Sequence, residues 1–307
     1  MTTLKTDLTC LLPLLFSALI ITGCASKGDK DNLPESLSET EIYKIANSLL
    51  NKDNYSEAIK HLRILESRYP FGVFAEQAQL EIIYAYFMND ELDASKAAAD
   101  RFIRLNPQHQ NTDYAYYIKG LASNTASIGI LERYIPLDMT RRDPGQATQS
   151  FNEFAELLTL YPDSKYAPDA RQRMIALHNR LAAYEIHAAN YNLKRKAFVA
   201  AIMRGQYVIE NMQETPSMPE ALAIMVEGYQ HLGLTEPADS ALKVLKLNYP
   251  DHPSLDKEGN FIGYKVFNDT NPSILSTLTF GLLGGSDSKI FRMKLQQEHT
   301  IKPQPSQ

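Results

Sequence analysis

The chain has 307 residues, a formal net charge of −5, 44% hydrophobic residues and two cysteines, Cys10 and Cys24. A mildly acidic chain without a basic block is a poor nucleic-acid ligand, because that affinity comes mainly from cationic contacts to phosphate. Its charge gives no reason for strong attraction to anionic headgroups either, and its length suffices for one elongated domain or two compact ones.

Residues 1–23 read as a signal peptide. The apolar run from Leu11 to Ile21 is about 11 residues long, whereas a membrane-crossing helix needs about 20. A basic start, a short apolar core and a small-residue cleavage site describe a secretory signal. Ile21-Thr22-Gly23-Cys24 resembles a bacterial lipobox. That resemblance implies that Cys24 becomes an acylated N-terminus, and Ala25 behind it points to the outer membrane. Two or more acyl chains make a stable anchor where one does not. With Cys10 removed and Cys24 lipidated, the mature chain is expected to hold no free thiol, disulfide or thiolate metal site. Residues 24–38, small and polar, read as a lipidated flexible tether.

From residue 39 onward, apolar positions recur at helical spacing, as in Ile42, Ile45, Ala46, Leu49 and Leu50, and period-two alternation is absent. Four helices stop alike, at Tyr69-Pro70, Asn106-Pro107, Tyr161-Pro162 and Tyr249-Pro250. Proline cannot continue a helix and restricts the residue before it. Upstream of each proline sit a small residue (Ala58, Ser95, Ser150, Ala238) and two larger slots on the same face (Leu62 and Leu65, Ala99 and Phe102, Phe154 and Leu157, Leu242 and Leu245). A fifth copy fits if its stop falls at Ser217, with Gly205, Ile209 and Met212 in the slots. The pattern predicts an all-α right-handed superhelix of about five TPR-like helix pairs, an α-solenoid, over residues 39–250. The pairs are expected at about 39–70, 74–107, 112–162, 167–216 and 218–250. Extra length in the third pair falls on an irregular run from Asn124 to Gly145, and in the fourth on a first helix lengthened to about Lys196. Residues 251–307 form a C-terminal tail whose structure the pattern leaves open. Within it, Ile274–Leu283 is an apolar island too short to span a membrane.

Tyr69-Pro70-Phe71-Gly72, Asp113–Leu121, Leu131-Glu132-Arg133-Tyr134, Arg142-Asp143-Pro144, Tyr161–Ala167 and Leu181–Glu185 occur together in this order behind a lipobox. Over residues 36–250 the set resembles the BamD (ComL) family of outer-membrane assembly lipoproteins. The resemblance implies a lipid-anchored scaffold on the periplasmic face of the outer membrane, part of the β-barrel assembly machine. Its implied partners are the POTRA domains of a BamA-like barrel subunit, other assembly-machine lipoproteins and unfolded outer-membrane proteins. It places the client signal on the early repeats and machine partners on the later ones. His109-Gln110 stands where the family usually has His-Pro. A TPR lipoprotein adaptor for cell-wall synthesis or envelope trafficking is the alternative of the same build.

Enzyme signatures are missing from the sequence. The histidines lack metal-ligand spacing, Gly281–Gly285 lacks the spacing and lysine of a phosphate loop, and no Gly-x-Ser-x-Gly elbow occurs. The expectation is therefore no enzyme, no metal and no cofactor beyond the lipid on Cys24. Most of the tyrosines, Tyr69, Tyr84 and Tyr161 among them, are expected in the core. Phe71 and Phe74, just past a helix stop, are candidates for receiving the aromatic end of a client. Of two basic clusters, Arg141-Arg142 and Lys194-Arg195-Lys196, the second is the candidate surface for an acidic partner domain.

Overall fold

The computed structural model describes residues 36–128 and 138–264. The signal peptide, Cys24, most of the tether, the Leu131–Tyr134 motif and the Ile274–Leu283 island lie outside the described residues. Ten α-helices occur among those described: α1 (Glu39–Leu50), α2 (Tyr55–Arg68), α3 (Ala75–Met88), α4 (Leu92–Leu105), α5 (Thr112–Ile128), α6 (Gly145–Leu160), α7 (Ala167–Lys194), α8 (Phe198–Asn211), α9 (Met218–His231) and α10 (Thr235–Asn248). Each packs on its chain neighbours, and α3 also touches α5 as α7 touches α9. This is the helix-pair stacking of a TPR-like solenoid.

Two kinds of corner set the frame. Within four of the pairs a left-handed residue stands two positions before the second helix: Asp53, Asp90, Lys196 and Gly233, with φ of 56°, 61°, 59° and 72°. The next amide then reaches back to the last turn, as from Asn54 to the Leu49 carbonyl and from Ala197 to the Asn192 carbonyl, both at 2.9 Å. These are Schellman closures, which satisfy carbonyls orphaned at a helix end. Between pairs, two successive turns repeat. The Gly72 amide donates to Tyr69 and the Ala75 amide to Gly72, as Ser164 donates to Tyr161 and Ala167 to Ser164.

The stops also place the core. Ala58, Ser95, Ser150 and Ala238 are buried, as are Leu62, Leu65, Phe102, Phe154, Leu157 and Leu245. A hydroxyl is tolerated in the small slot because it donates to the facing helix: Ser95 Oγ to the Ile83 carbonyl and Ser150 Oγ to the Gly120 carbonyl, each at 2.9 Å. The fourth pair corrects the expected register. Its second helix stops at Met212, whose amide bonds the Val208 carbonyl, so Ala201, Gly205 and Val208 fill the slots rather than Gly205, Ile209 and Met212. Without a proline to mark the stop, the sequence reading slips by one turn. The interval from Met212 to Tyr249 then equals that from Tyr69 to Asn106.

The irregular run of the third pair begins later than expected, since α5 stays helical through Ile128. The lengthened helix of the fourth pair is present as α7, 28 residues long. After α10 the inter-pair corner appears once more, with His252 donating to Tyr249 and Leu255 to His252. No helix follows among the described residues. The chain turns through Asp256–Asn260 and lays Leu255 and Tyr264 onto the core. The Tyr264 amide donates to Glu227 of α9. Residues 251–264 thus cap the last pair, covering apolar surface that a terminal repeat would otherwise expose.

Candidate functional site

The first helices of the early pairs enclose a cavity of about 410 Å³, lined by Tyr43, Asn47, Gln77, Leu80, Glu81, Tyr84, Tyr114 and Tyr166, with Asp53 and Tyr55 at the first corner. Its lining carries no lysine or arginine. Tyr43 Oη donates to Glu81 Oε1 at 2.7 Å and Tyr55 Oη to Asp53 Oδ1 at 2.6 Å. Burial and these carboxylate acceptors hold both hydroxyls well above their ordinary value, and burial beside Asp113 raises Tyr166 to about 12. The phenols are therefore fixed donors at any physiological pH. Tyr84 meets Tyr55 edge-on, and Tyr166 stacks on Tyr117 with ring centroids 4.6 Å apart. Such a wall offers aromatic faces and acceptor oxygens, chemistry suited to aromatic side chains and peptide N–H groups.

Glu81 is the residue that periodicity missed. It is 8% exposed, and burial pushes its carboxyl upward against the hydrogen bonds from Gln77 and Tyr43. Oε2 is buried without a partner. Glu153 repeats the arrangement on α6, with Gln149 donating to it. In each case a glutamine one turn upstream is the signal the sequence held. Both carboxylates are buried because α3 and α6 are enclosed by neighbouring helices.

Phe71 and Phe74 part company. Phe71 is 98% exposed, whereas Phe74 is half-buried, its ring stacked on Tyr43 at 4.3 Å and its amide donating to Glu39. Neither lines the cavity, although Phe74 buttresses Tyr43, which does. Tyr84, expected in the core, faces the cavity instead.

Lys194, Arg195 and Lys196 stand together and exposed at the end of α7. The Arg195 guanidinium lies over the Tyr191 ring and donates to its hydroxyl at 2.9 Å. They head a feature the slots did not announce: Val199, Met203 and Tyr207, all exposed, follow one another by four residues along α8. Arg204 beside them pairs with Glu185 of α7 at 2.7 Å. Among the described residues no group of three or more His, Cys, Asp or Glu is placed to hold a metal ion, and no helix is long and apolar enough to cross a membrane.

A tyrosine-lined concave cavity and a separate apolar–basic helix face on stacked helix pairs define a TPR-like binding scaffold. The family model described as outer membrane lipoprotein, YfiO, matches residues 35–245. Similar proteins include the outer membrane protein assembly factor BamD of Neisseria meningitidis, 40% identical over 240 residues covering 77% of this chain and 90% of that one. The BamD of Xylella fastidiosa is 37% identical, covering 79% and 82%, and that of Vibrio cholerae 37% identical, covering 76% and 96%. The chain belongs to the YfiO/BamD family of outer membrane lipoproteins.

Proposed function

We propose that the chain serves as a scaffold subunit in outer-membrane protein assembly, held by lipid on Cys24 at the periplasmic face. The cavity of the early pairs receives a segment of an unfolded outer-membrane protein. The end of α7 and the stripe Val199–Met203–Tyr207 dock a POTRA domain of the BamA-like barrel subunit. Family membership supports the assembly role, and the observation that carries the client reading is the cavity itself. It presents five tyrosines and a buried acceptor, Glu81, without a cation. A client chain entering it would find stacking surfaces for its aromatic side chains and an acceptor for its amides, which a saturated core could not offer. Phe74 contributes by fixing Tyr43. On the other face, aromatic, methionine and arginine residues form the composition that interface cores favour.

Photocrosslinkers placed at Tyr84 and Tyr207 in living cells test both halves. Tyr84 is expected to capture unfolded barrel clients and Tyr207 the barrel subunit. Recovery of a cell-wall synthase in place of both would refute the reading in favour of the adaptor alternative. The anchor is tested separately: Cys24→Ala is expected to abolish outer-membrane retention, and unchanged retention would exclude lipid on that residue.

A further inference from the structure

The corner between α2 and α3 carries large apolar side chains that nothing in the fold covers: Phe71 is 98% and Val73 89% exposed, with Pro70 exposed beside them. Single exposed apolar residues need no explanation, but these share one corner, and that corner is braced. The Gly72 amide donates to the Tyr69 carbonyl, the Ala75 amide to Gly72, and the Phe74 amide to Glu39 Oε1 at 2.7 Å. A Cβ on Gly72 would lie 2.2 Å from that same carboxylate oxygen, so Glu39 packs directly against the corner's backbone. Tyr69 Oη reaches the Leu37 carbonyl at 3.1 Å. The corner is therefore clamped to residues 37–39, where the chain enters the fold from the tether.

We propose that Phe71 and Val73 form a membrane-contact prong, seated in the headgroup–acyl boundary of the leaflet that holds the lipid anchor. The inference rests on the reading of Cys24 as that anchor. From Cys24 to Ser38 the chain spans at most roughly 50 Å fully extended, at about 3.3–3.6 Å per residue. The point where it enters the fold is the point where the exposed side chains project. Lipid on the tether keeps this corner near the bilayer, and an aromatic and a branched side chain at an interface gain by leaving water. The prong adds the second contact that turns a tethered solenoid into an oriented one. A client's aromatic end is the rival occupant. The structure favours the membrane, because neither Phe71 nor Val73 lines the client cavity.

The chain contains no tryptophan, so Val73→Trp introduces a unique fluorophore. The mature chain carrying Cys24→Ala and an N-terminal hexahistidine is bound to vesicles of phosphatidylethanolamine, phosphatidylglycerol and a nickel-chelating lipid, which makes anchoring independent of acylation. The V73W indole is expected to shift to the blue. With bromines at shallow acyl positions it should lose emission about twofold, as for a side chain seated roughly 5–10 Å into the boundary. Leu247→Trp on α10 should not respond, and adding Phe71→Asp to Val73→Trp should remove the quenching at unchanged helicity. An unquenched V73W indole on anchored protein overturns the proposal. So does a response that appears only with an unfolded barrel-protein C-terminal peptide, which would assign the corner to the client. Flotation of the natively expressed chain with and without Cys24→Ala reports on the anchor alone, so the two readings fail independently.

Discussion

Replacing Gly120 by alanine exposes how closely the third pair is packed. An added Cβ would lie 2.6 Å from Phe154 Cε1, 2.7 Å from Cδ1 and 3.1 Å from Cζ. Carbon pairs prefer about 3.5–4.0 Å, so α5 and α6 must part by roughly 1 Å or the ring must leave its rotamer. Parting would also stretch the 2.9 Å bond from Ser150 Oγ to the Gly120 carbonyl. Overpacking of this kind costs about 1–3 kcal/mol. Alanine's advantage inside a helix returns about 1 kcal/mol. The expected net effect of Gly120→Ala is a loss of about 1 kcal/mol, opposite in sign to what helix propensity alone gives. Leucine at 154 removes the ring edge, so Gly120→Ala should become neutral or stabilising in a Phe154→Leu background, with a coupling of about 1–2 kcal/mol. Urea titrations followed by far-UV circular dichroism on the wild type, both single variants and the double variant measure this. Stabilisation by Gly120→Ala alone, or equal midpoint shifts in both backgrounds, would refute the claim that the glycine exists for close approach.

Glu81→Gln separates burial from hydrogen bonding. The raised carboxyl makes the folded chain bind its proton more readily than the unfolded chain, so stability falls as pH rises from the ordinary glutamate value through the raised one. The variant should therefore melt higher than wild type at about pH 7.5, and the gain should shrink towards about pH 4. A uniform gain, or a loss at neutral pH, would contradict that sign. Lys196→Gly should stabilise by about 0.5–1 kcal/mol, since a left-handed lysine costs about 1–2 kcal/mol and glycine loses part of that advantage to unfolded-state entropy. Gly233→Ala, at the equivalent corner with φ 72°, should destabilise by a similar amount. Urea midpoints falling in the opposite order would show that these corners are not under backbone strain.

Most of the frame was legible because one physical event recurs. A helix that must end at proline places its small and large residues at fixed distances upstream, and those positions bury Ala58, Leu62, Phe102 and Leu157. Where the event lacks its marker, legibility stops. At Met212 the next residue is glutamine, and the register slipped by a turn. The cavity was legible only as tyrosine content, because its wall comes from α1, the start of α2, α3, α5 and the cap of α7, residues up to 123 positions apart from Tyr43 to Tyr166. Glu81 was hidden by its own charge, which counts as surface in any apolar pattern. Val199, Met203 and Tyr207 were readable in principle, since α8 is apolar on two opposite faces and only one can meet the core.

Helix α7 relates the two surfaces to one another. Its N-cap, Tyr166, belongs to the cavity wall, and its C-terminal end leads into the basic residues at the head of the α8 stripe. At 1.5 Å per residue its 28 residues span about 42 Å. Its sides are fastened along the way: Arg173 Nε and Tyr117 Oη meet on Asp169 Oδ2, each at 2.6 Å. Arg180 holds the Ser127 hydroxyl and carbonyl, and Glu185 holds Arg204. Ordinary first helices in this chain are 12 to 17 residues long and could not bridge both places. The added turns thus act as a strut, fixing the distance and the angle between the cavity and the α8 stripe. The span between them is set by helix geometry and side-chain clamps rather than by a hinge.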